Sequence, residues 1–430
     1  MIVKGALVAT LDPPLVEAVD LRLEGGRIVQ RAPALLALPG EEVLDARGRL
    51  VVPGFVNAHT HLYSALARGM PAPTPAPRNF LEVLERVWWR LDRALDEETV
   101  YLSALVGGIE AALSGTTLLI DHHSSPAFIR GSLATVQRAL EEVGLRSVLC
   151  YEVTDRNGEA GRHLGVAENV EFLREAQTDL TRGMMGAHAS FTLGEEALRE
   201  LAAATADTNS SLHVHVAEDA HDVADCAARH PGETVPQRLA RHGLLVSRAL
   251  LAHCVHLAPE EIEWSHARGA WIAHNARSNL NNAVGYAKVE ALRRAALGTD
   301  GIDQDMLAEA RAAFLKMREA SRADAFEATV QLLAGGHRLA AALFGLPFGK
   351  LDAGGPADLV VLAYRAPTPI TTANLAGHLL FGIDRSHVES VIVAGAFVVR
   401  DRHLSRVDAE AAFARARARA PDLWRLMQTV

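Results

Sequence analysis

The run Leu50-Val51-Val52-Pro53-Gly54-Phe55-Val56-Asn57-Ala58-His59-Thr60-His61 decides how the chain is read. It is an apolar strand pattern, broken once by Pro53-Gly54, that ends on two histidines. On a strand, residues i and i+2 point to the same face, so both imidazoles can meet one ion at its carboxyl end. A His-x-His pair is a weak signal alone. Its place at the end of a buried run gives it weight.

Ahead of this run the pattern predicts short strands, Ile2–Ala9, Ala18–Leu23, Arg27–Val29 and Glu42–Leu44, with Gly25-Gly26 and Arg47-Gly48 supplying turns. Behind it, apolar runs at 117–120, 147–151, 183–187, 212–216, 250–252, 271–273 and 295–297 alternate with helix-like stretches such as 96–114, 131–143, 166–178 and 195–208. Strand and helix alternating so often predict parallel βα units, hence an α/β chain built on a (β/α)₈ TIM-like barrel with its chemistry at the carboxyl ends of the strands. The late strands 359–362, 388–393 and 397–400 are expected to rejoin the first ones. The expected division is a small β domain from 1–53 plus 346–430, with a surface helix near 408–420, around a barrel at 54–345. The proline-rich stretch Pro71–Pro77 reads as a loop.

The composition bounds the partners. With 430 residues and 49% hydrophobic content, a large core is available. The net charge of −9 is spread along the chain, which argues against a nucleic-acid partner. No apolar run nears the roughly 18 residues of a membrane span. Cys150, Cys226 and Cys254 form no close-paired framework, so a reducing, cytoplasmic setting is expected.

Three further motifs repeat the first one's logic. His213-Val214-His215-Val216-Ala217-Glu218 ends a strand on His215, with Glu218 in the next loop; His213 shares that face but lies deeper and reads as a core residue. His253, in His253-Cys254-Val255-His256, is placed to reach the barrel mouth, with Cys254 as packing filler. Asp300, in Gly298-Thr299-Asp300-Gly301, is read as a metal carboxylate over a plain turn residue. His59, His61, His215 and Asp300 make an N/O donor set suited to one divalent ion, zinc first and iron second, with positions left for water. Such an ion lowers the pKa of its water towards about 7 and so makes hydroxide at working pH.

On these motifs, with Ser278-Asn279 and the late Gly354-Gly355-Pro356-Ala357-Asp358-Leu359, the chain resembles the amidohydrolase superfamily, in its cytosine-deaminase-like branch of aminohydrolases and chlorohydrolases. Trp88-Trp89-Arg90-Leu91-Asp92 and Asp121-His122-His123-Ser124-Ser125-Pro126 look closest to the aminohydrolase subgroup called SsnA. The resemblance implies a mononuclear site. Asp300 would also take a proton from the water, His253 would orient the nucleophile, and Glu218 would pass a proton to a ring nitrogen and help expel ammonia. The absence of any lysine between Lys4 and Lys288 excludes the carbamylated-lysine bridge of binuclear relatives. Asn275-Ala276 departs from the usual Asn-Pro, and the connection into the last barrel strand is short.

Substrate contacts are expected from His188, from Arg156 as a holder of a carbonyl or carboxylate, and from His123 in preference to its neighbour His122. Trp88 and Trp89 read as the start of a helix covering the barrel, with core packing the default reading and one of them at the entrance the alternative. The expected activity is hydrolytic deamination of an amino-substituted N-heterocycle of purine, pterin or triazine type. Two alternatives stand beside it, ring opening of a cyclic amide or imide and a catalytically inactive binding protein on the same fold. A homodimer or larger homo-oligomer is implied by analogy alone.

Overall fold

The structure is a computed structural model describing all 430 residues. Its centre is a set of short, buried parallel strands. Phe55–Thr60 pairs with Thr116–His123, which pairs with Arg146–Tyr151, which pairs with Thr181–Gly183. After a one-residue break, Met185–Ala189 continues to Leu212–Val216, Leu250–His253, Trp271–His274 and Ala295–Leu297. Parallel bridges Val153↔Ala187 and Thr60↔Asp300 join the ends of these two runs, so the strand order returns to its start. Helices Glu97–Leu113, Ser132–Val143, Gly158–Glu175 and Glu195–Asp207 fall in the connections, as the sequence pattern predicts.

Alternation along each strand decides what fills the ring. Leu118, Ile120 and His122 share one side of their strand, as do Val148, Cys150 and Glu152 on the next. The apolar members belong to one buried cluster with Met184, Leu250 and Ala273, which packs beneath the polar side chains at the strand ends. The last strand is only three residues long, and two glycines let it close up. A Cβ on Gly298 would stand 2.4 Å from Asn275 Oδ1 and 2.9 Å from the His59 backbone, and one on Gly335 would meet the Ala295 carbonyl at 1.7 Å. The short connection therefore does not displace Asp300. Its backbone amide donates to His59 O at 2.9 Å, and Thr60 Oγ1 donates to its carbonyl at 3.1 Å.

Both chain ends build a nine-stranded sheet. Leu50–Pro53 sits between Ile2–Leu11 and Leu359–Leu362, so the segment leading into the first histidine pair is clamped by strands from opposite ends of the sequence. A separate apolar cluster, including Val8, Leu21, Ile28, Val51, Leu359 and Ile392, fills this region. The terminal helix Ala409–Leu426 runs further than the expected 408–420 and docks through Trp424, whose indole donates to Leu66 O at 2.8 Å. No helix is long and apolar enough to cross a membrane, and all three cysteines are free.

Candidate active site and metal centre

His59 and His61 leave their strand on one side, as the spacing predicts, and meet residues from three other strand ends. His61 Nε2 lies 3.1 Å from His215 Nε2 and 3.1 Å from Asp300 Oδ1, and His59 Nε2 is 3.6 Å from the same carboxylate oxygen. The donor atoms of His59, His61 and Asp300 all fall within 4.8 Å of one another, as do those of His59, His215 and His253. His59 Nε2 is buried with no hydrogen-bond partner in the protein. An orphaned imidazole nitrogen facing two more imidazoles and a carboxylate fits a borderline divalent cation.

Each of these rings is fixed from behind. His61 Nδ1 donates to the His122 carbonyl at 2.6 Å and His215 Nδ1 to the His188 carbonyl at 2.9 Å, so each turns Nε2 inward. His253 Nδ1 meets Asn279 Oδ1 at 2.9 Å, and its backbone takes a positive φ of 72° to bring the ring round. Asp300 also has a left-handed backbone, φ 55°, and its Oδ2 accepts from Ser278 Oγ at 2.5 Å. Strained dihedrals at two such positions mark where the fold gives up backbone comfort to aim side chains.

The two carboxyl groups at the centre differ in environment. Burial would raise Asp300, but the imidazoles of His59 and His61 outweigh it and hold the group well below the ordinary carboxylate range. Glu218 is pushed up to about 7 by burial first and by the Asp300 charge second, against the opposing pull of His253. Its Oε2 lies 3.6 Å from His253 Nε2. One carboxyl thus stays ionised while the other holds a proton near neutrality, the separation that acid–base work requires.

A cavity of about 790 Å³, counting its open mouth, lies over this cluster and reaches His61, His188, His215, Glu218 and Asp300. His188 lines it as expected. Its Nδ1 donates to Thr192 Oγ1 at 2.7 Å, and burial lowers the ring to about 3, so a neutral imidazole offers Nε2 as an acceptor. Two other expectations need correction. His123 faces away from the cavity, with Nε2 on Ser125 Oγ at 2.8 Å. It is His122 that turns inward, Nδ1 3.3 Å from Glu152 Oε2, because strand alternation puts it on the side of Ile120. Arg156 is not free to hold a substrate carboxylate. Its guanidinium is taken by Glu152 at 2.6 Å, sits 3.6 Å from Asp92, and stacks 4.7 Å above the Trp89 ring.

Sequence reasoning missed the outer wall. Trp88 and Trp89 both line the cavity, where one at most was expected at the entrance, and Trp88 also packs against the core cluster; Phe80, Phe191, Asp92 and Glu152 line the cavity with them. The segment Phe80–Ala94 is helical throughout but widens to a π turn at Leu84–Trp88, immediately before Trp89. Asp92 is pushed up to about 6, chiefly by burial, and its Oδ1 has no protein partner. Glu152 carries the same signal that exposed Asp300, a carboxylate just past the end of a buried strand.

The amidohydrolase family description matches residues 50–398. A 5-methylthioadenosine/S-adenosylhomocysteine deaminase of Desulforudis audaxviator is 32% identical over 91% of each chain. A 5′-deoxyadenosine deaminase of Methanothermobacter thermautotrophicus is 28% identical over 96% of this chain and 97% of its own. Among solved structures, a zinc-bound adenosine deaminase from Xanthomonas campestris superposes with a TM-score of 0.87 at 25% identity, covering 100% of this chain and 98% of that one. The chain belongs to the amidohydrolase family. Within it, the chain is a metal-dependent hydrolase of non-peptide carbon–nitrogen bonds that deaminates amino-substituted N-heterocycles.

Proposed function

We propose that the heterocycle is the adenine ring of a nucleoside altered at its 5′ position, and that one divalent ion, zinc in preference to iron, serves the reaction. The observation that carries this reading is the Glu218 carboxyl, raised to about 7 by burial, 3.6 Å from His253 and lining with Asp300 the floor of an aromatic-walled cavity. Nε2 of His59, His61 and His215 and the carboxylate of Asp300 would hold the ion. When bound, it supplies a water acidic enough to act as a nucleophile at neutral pH.

The protein's own groups do the rest. Asp300 would accept a proton from the attacking water, and His253, anchored by Asn279, would orient that water towards the ring carbon bearing the amino group. Glu218 would give its proton to the adjacent ring nitrogen, where it stays, and regain one from the added hydroxyl, while Asp300 would hand its proton to the amino group, which leaves as ammonia. His188 accepts a hydrogen bond from the substrate, and the faces of Trp88, Trp89 and Phe191 offer stacking surfaces for a planar base. Relatives named as deaminases of 5′-modified adenine nucleosides support this choice over pterin and triazine rings. We read the strand ring as a (β/α)₈ barrel at 54–345 and the nine-stranded sheet as the β-sandwich domain of both termini. We also read the protein as a cytoplasmic enzyme working as a homo-oligomer.

Zinc-loaded protein assayed for ammonia against 5′-deoxyadenosine, 5′-methylthioadenosine, S-adenosylhomocysteine, guanine, a pterin and an aminotriazine tests the reading. Turnover should be greatest with the adenine nucleosides. Ammonia release from a pterin or triazine alone would overturn the substrate assignment, and no bound transition metal would overturn the site.

A further inference from the structure

Three of the four imidazoles at the site place Nδ1 on an oxygen, but His59 does not. Its Nδ1 meets another imidazole, Nε2 of His213, at 2.9 Å. An imidazole nitrogen accepts only when the ring's proton sits on the other nitrogen. That other nitrogen, His213 Nδ1, lies 3.7 Å from Cys150 Sγ, and Cys150 Sγ lies 3.6 Å from the Asp121 carbonyl. His59, His213, Cys150 and Asp121 are all 0% exposed, so water cannot supply a missing partner.

We propose that His213 and Cys150 form a one-directional hydrogen-bond relay that fixes the tautomer of His59. His59 Nδ1–H donates to His213 Nε2, His213 Nδ1–H donates to Cys150 Sγ, and Cys150 Sγ–H donates to the Asp121 carbonyl. In this direction every group has a partner and His59 Nε2 keeps its lone pair for the cation. Run backwards, His213 Nε2–H would donate to His59 Nδ1 and force the His59 proton onto Nε2, the atom aimed at the other ligands. His213 is the buried core residue that the sequence reading expects, and the relay gives it a task there. It is a positioning residue, and Cys150, which no motif singled out, is its terminus. A neutral acceptor fixes the ring without adding a buried charge, unlike the carboxylate that often stands behind a metal-bound histidine.

The inference rests on the metal reading of His59, so two readouts keep their failures apart. In the first, the zinc dissociation constant is measured by chelator competition for full-length wild type, Cys150→Ser, Cys150→Val and His213→Leu. Serine keeps a donor and an acceptor, whereas valine keeps the packing and deletes both. The expected result is Cys150→Ser within about 3-fold of wild type, and Cys150→Val and His213→Leu weaker on the order of 10-fold or more. A packing role predicts the opposite ranking of the cysteine variants, and that ranking, or equal affinities throughout, overturns the relay. Should His213→Leu not fold, the cysteine pair still decides. The second readout is the imidazole ¹⁵N spectrum of the protein with and without zinc. Both His59 and His213 should be Nδ1–H tautomers, and an Nε2–H signal from either overturns the proposal. If wild type binds no zinc, the metal reading falls and the tautomers still test the relay.

Discussion

The floor of the cavity and its outer wall are built on different principles. On the floor, each imidazole comes from the end of a buried strand, and its far nitrogen is pinned to a neighbouring strand or loop. On the wall, Asp92, Glu152 and Arg156 hold one another by charge, Trp89 lies under the guanidinium, and one carboxylate oxygen of Asp92 is left without a partner. The floor is rigid because its geometry is set by the strand ladders. The wall is set by side-chain pairing and by a helix of irregular pitch, so it can change without disturbing the chemistry below.

The comparison breaks most sharply at Asp300. Asp300→Asn should lower turnover at least about 10³-fold, with bound metal reduced in elemental analysis, because ligand and proton acceptor are lost together. Glu218→Gln should lower kcat by about 10²-fold with metal content unchanged, since it removes only a proton donor. A shared loss of metal in both variants would deny the two carboxyls separate roles.

Glu218 also sets a pH dependence. Its carboxyl is raised in the folded protein to about 7 from 4.5, so wild-type kcat/KM should fall as pH rises through about 7 and the proton is lost. The same shift means that folding at pH 8 must bury a carboxylate already ionised in the unfolded chain. In metal-free protein, Glu218→Gln should then be more stable than wild type by about 3 kcal/mol at pH 8. That advantage should vanish by about pH 4, where folded and unfolded wild type both hold the proton. Denaturant unfolding at the two pH values measures it. Equal stability at pH 8 would show that the carboxyl is not raised.

Changes to the wall should act on binding and stability. Arg156→Ala leaves two buried carboxylates without their cation, and should cost about 3 kcal/mol in denaturant unfolding and raise KM about 10-fold at full metal occupancy. Trp89→Leu is expected to have the smallest effect, a few-fold rise in KM with kcat preserved, read in steady-state kinetics. A kcat loss as large as that of Glu218→Gln would place the wall in the chemistry and erase the distinction.

The same contrast explains what could be read from the sequence. His59, His61, His215, His253, Glu218 and Asp300 were legible because strand alternation and strand ends are local, and a polar residue closing an apolar run stands out. The strand ring was legible from the same alternation. Arg156 was misjudged because its charge is consumed by Glu152 and Asp92, residues 4 and 64 positions away, and no local pattern announces an ion pair. His122 and His123 could not be ordered without the strand's register. Trp88 and Trp89 could not be placed by a local pattern, because apolar periodicity does not reveal the π turn at Leu84–Trp88 that sets their angle.

That irregular turn has a consequence for how the molecule could be retuned. A π turn is an α-helix carrying one surplus residue whose rotation the wider pitch absorbs, so deleting a single residue between Leu84 and Trp88 would restore regular pitch with the two flanks still in register. The surplus residue could thus be lost without changing how either end of the segment meets the barrel, and only the side chains within the turn, Trp88 among them, would be reset.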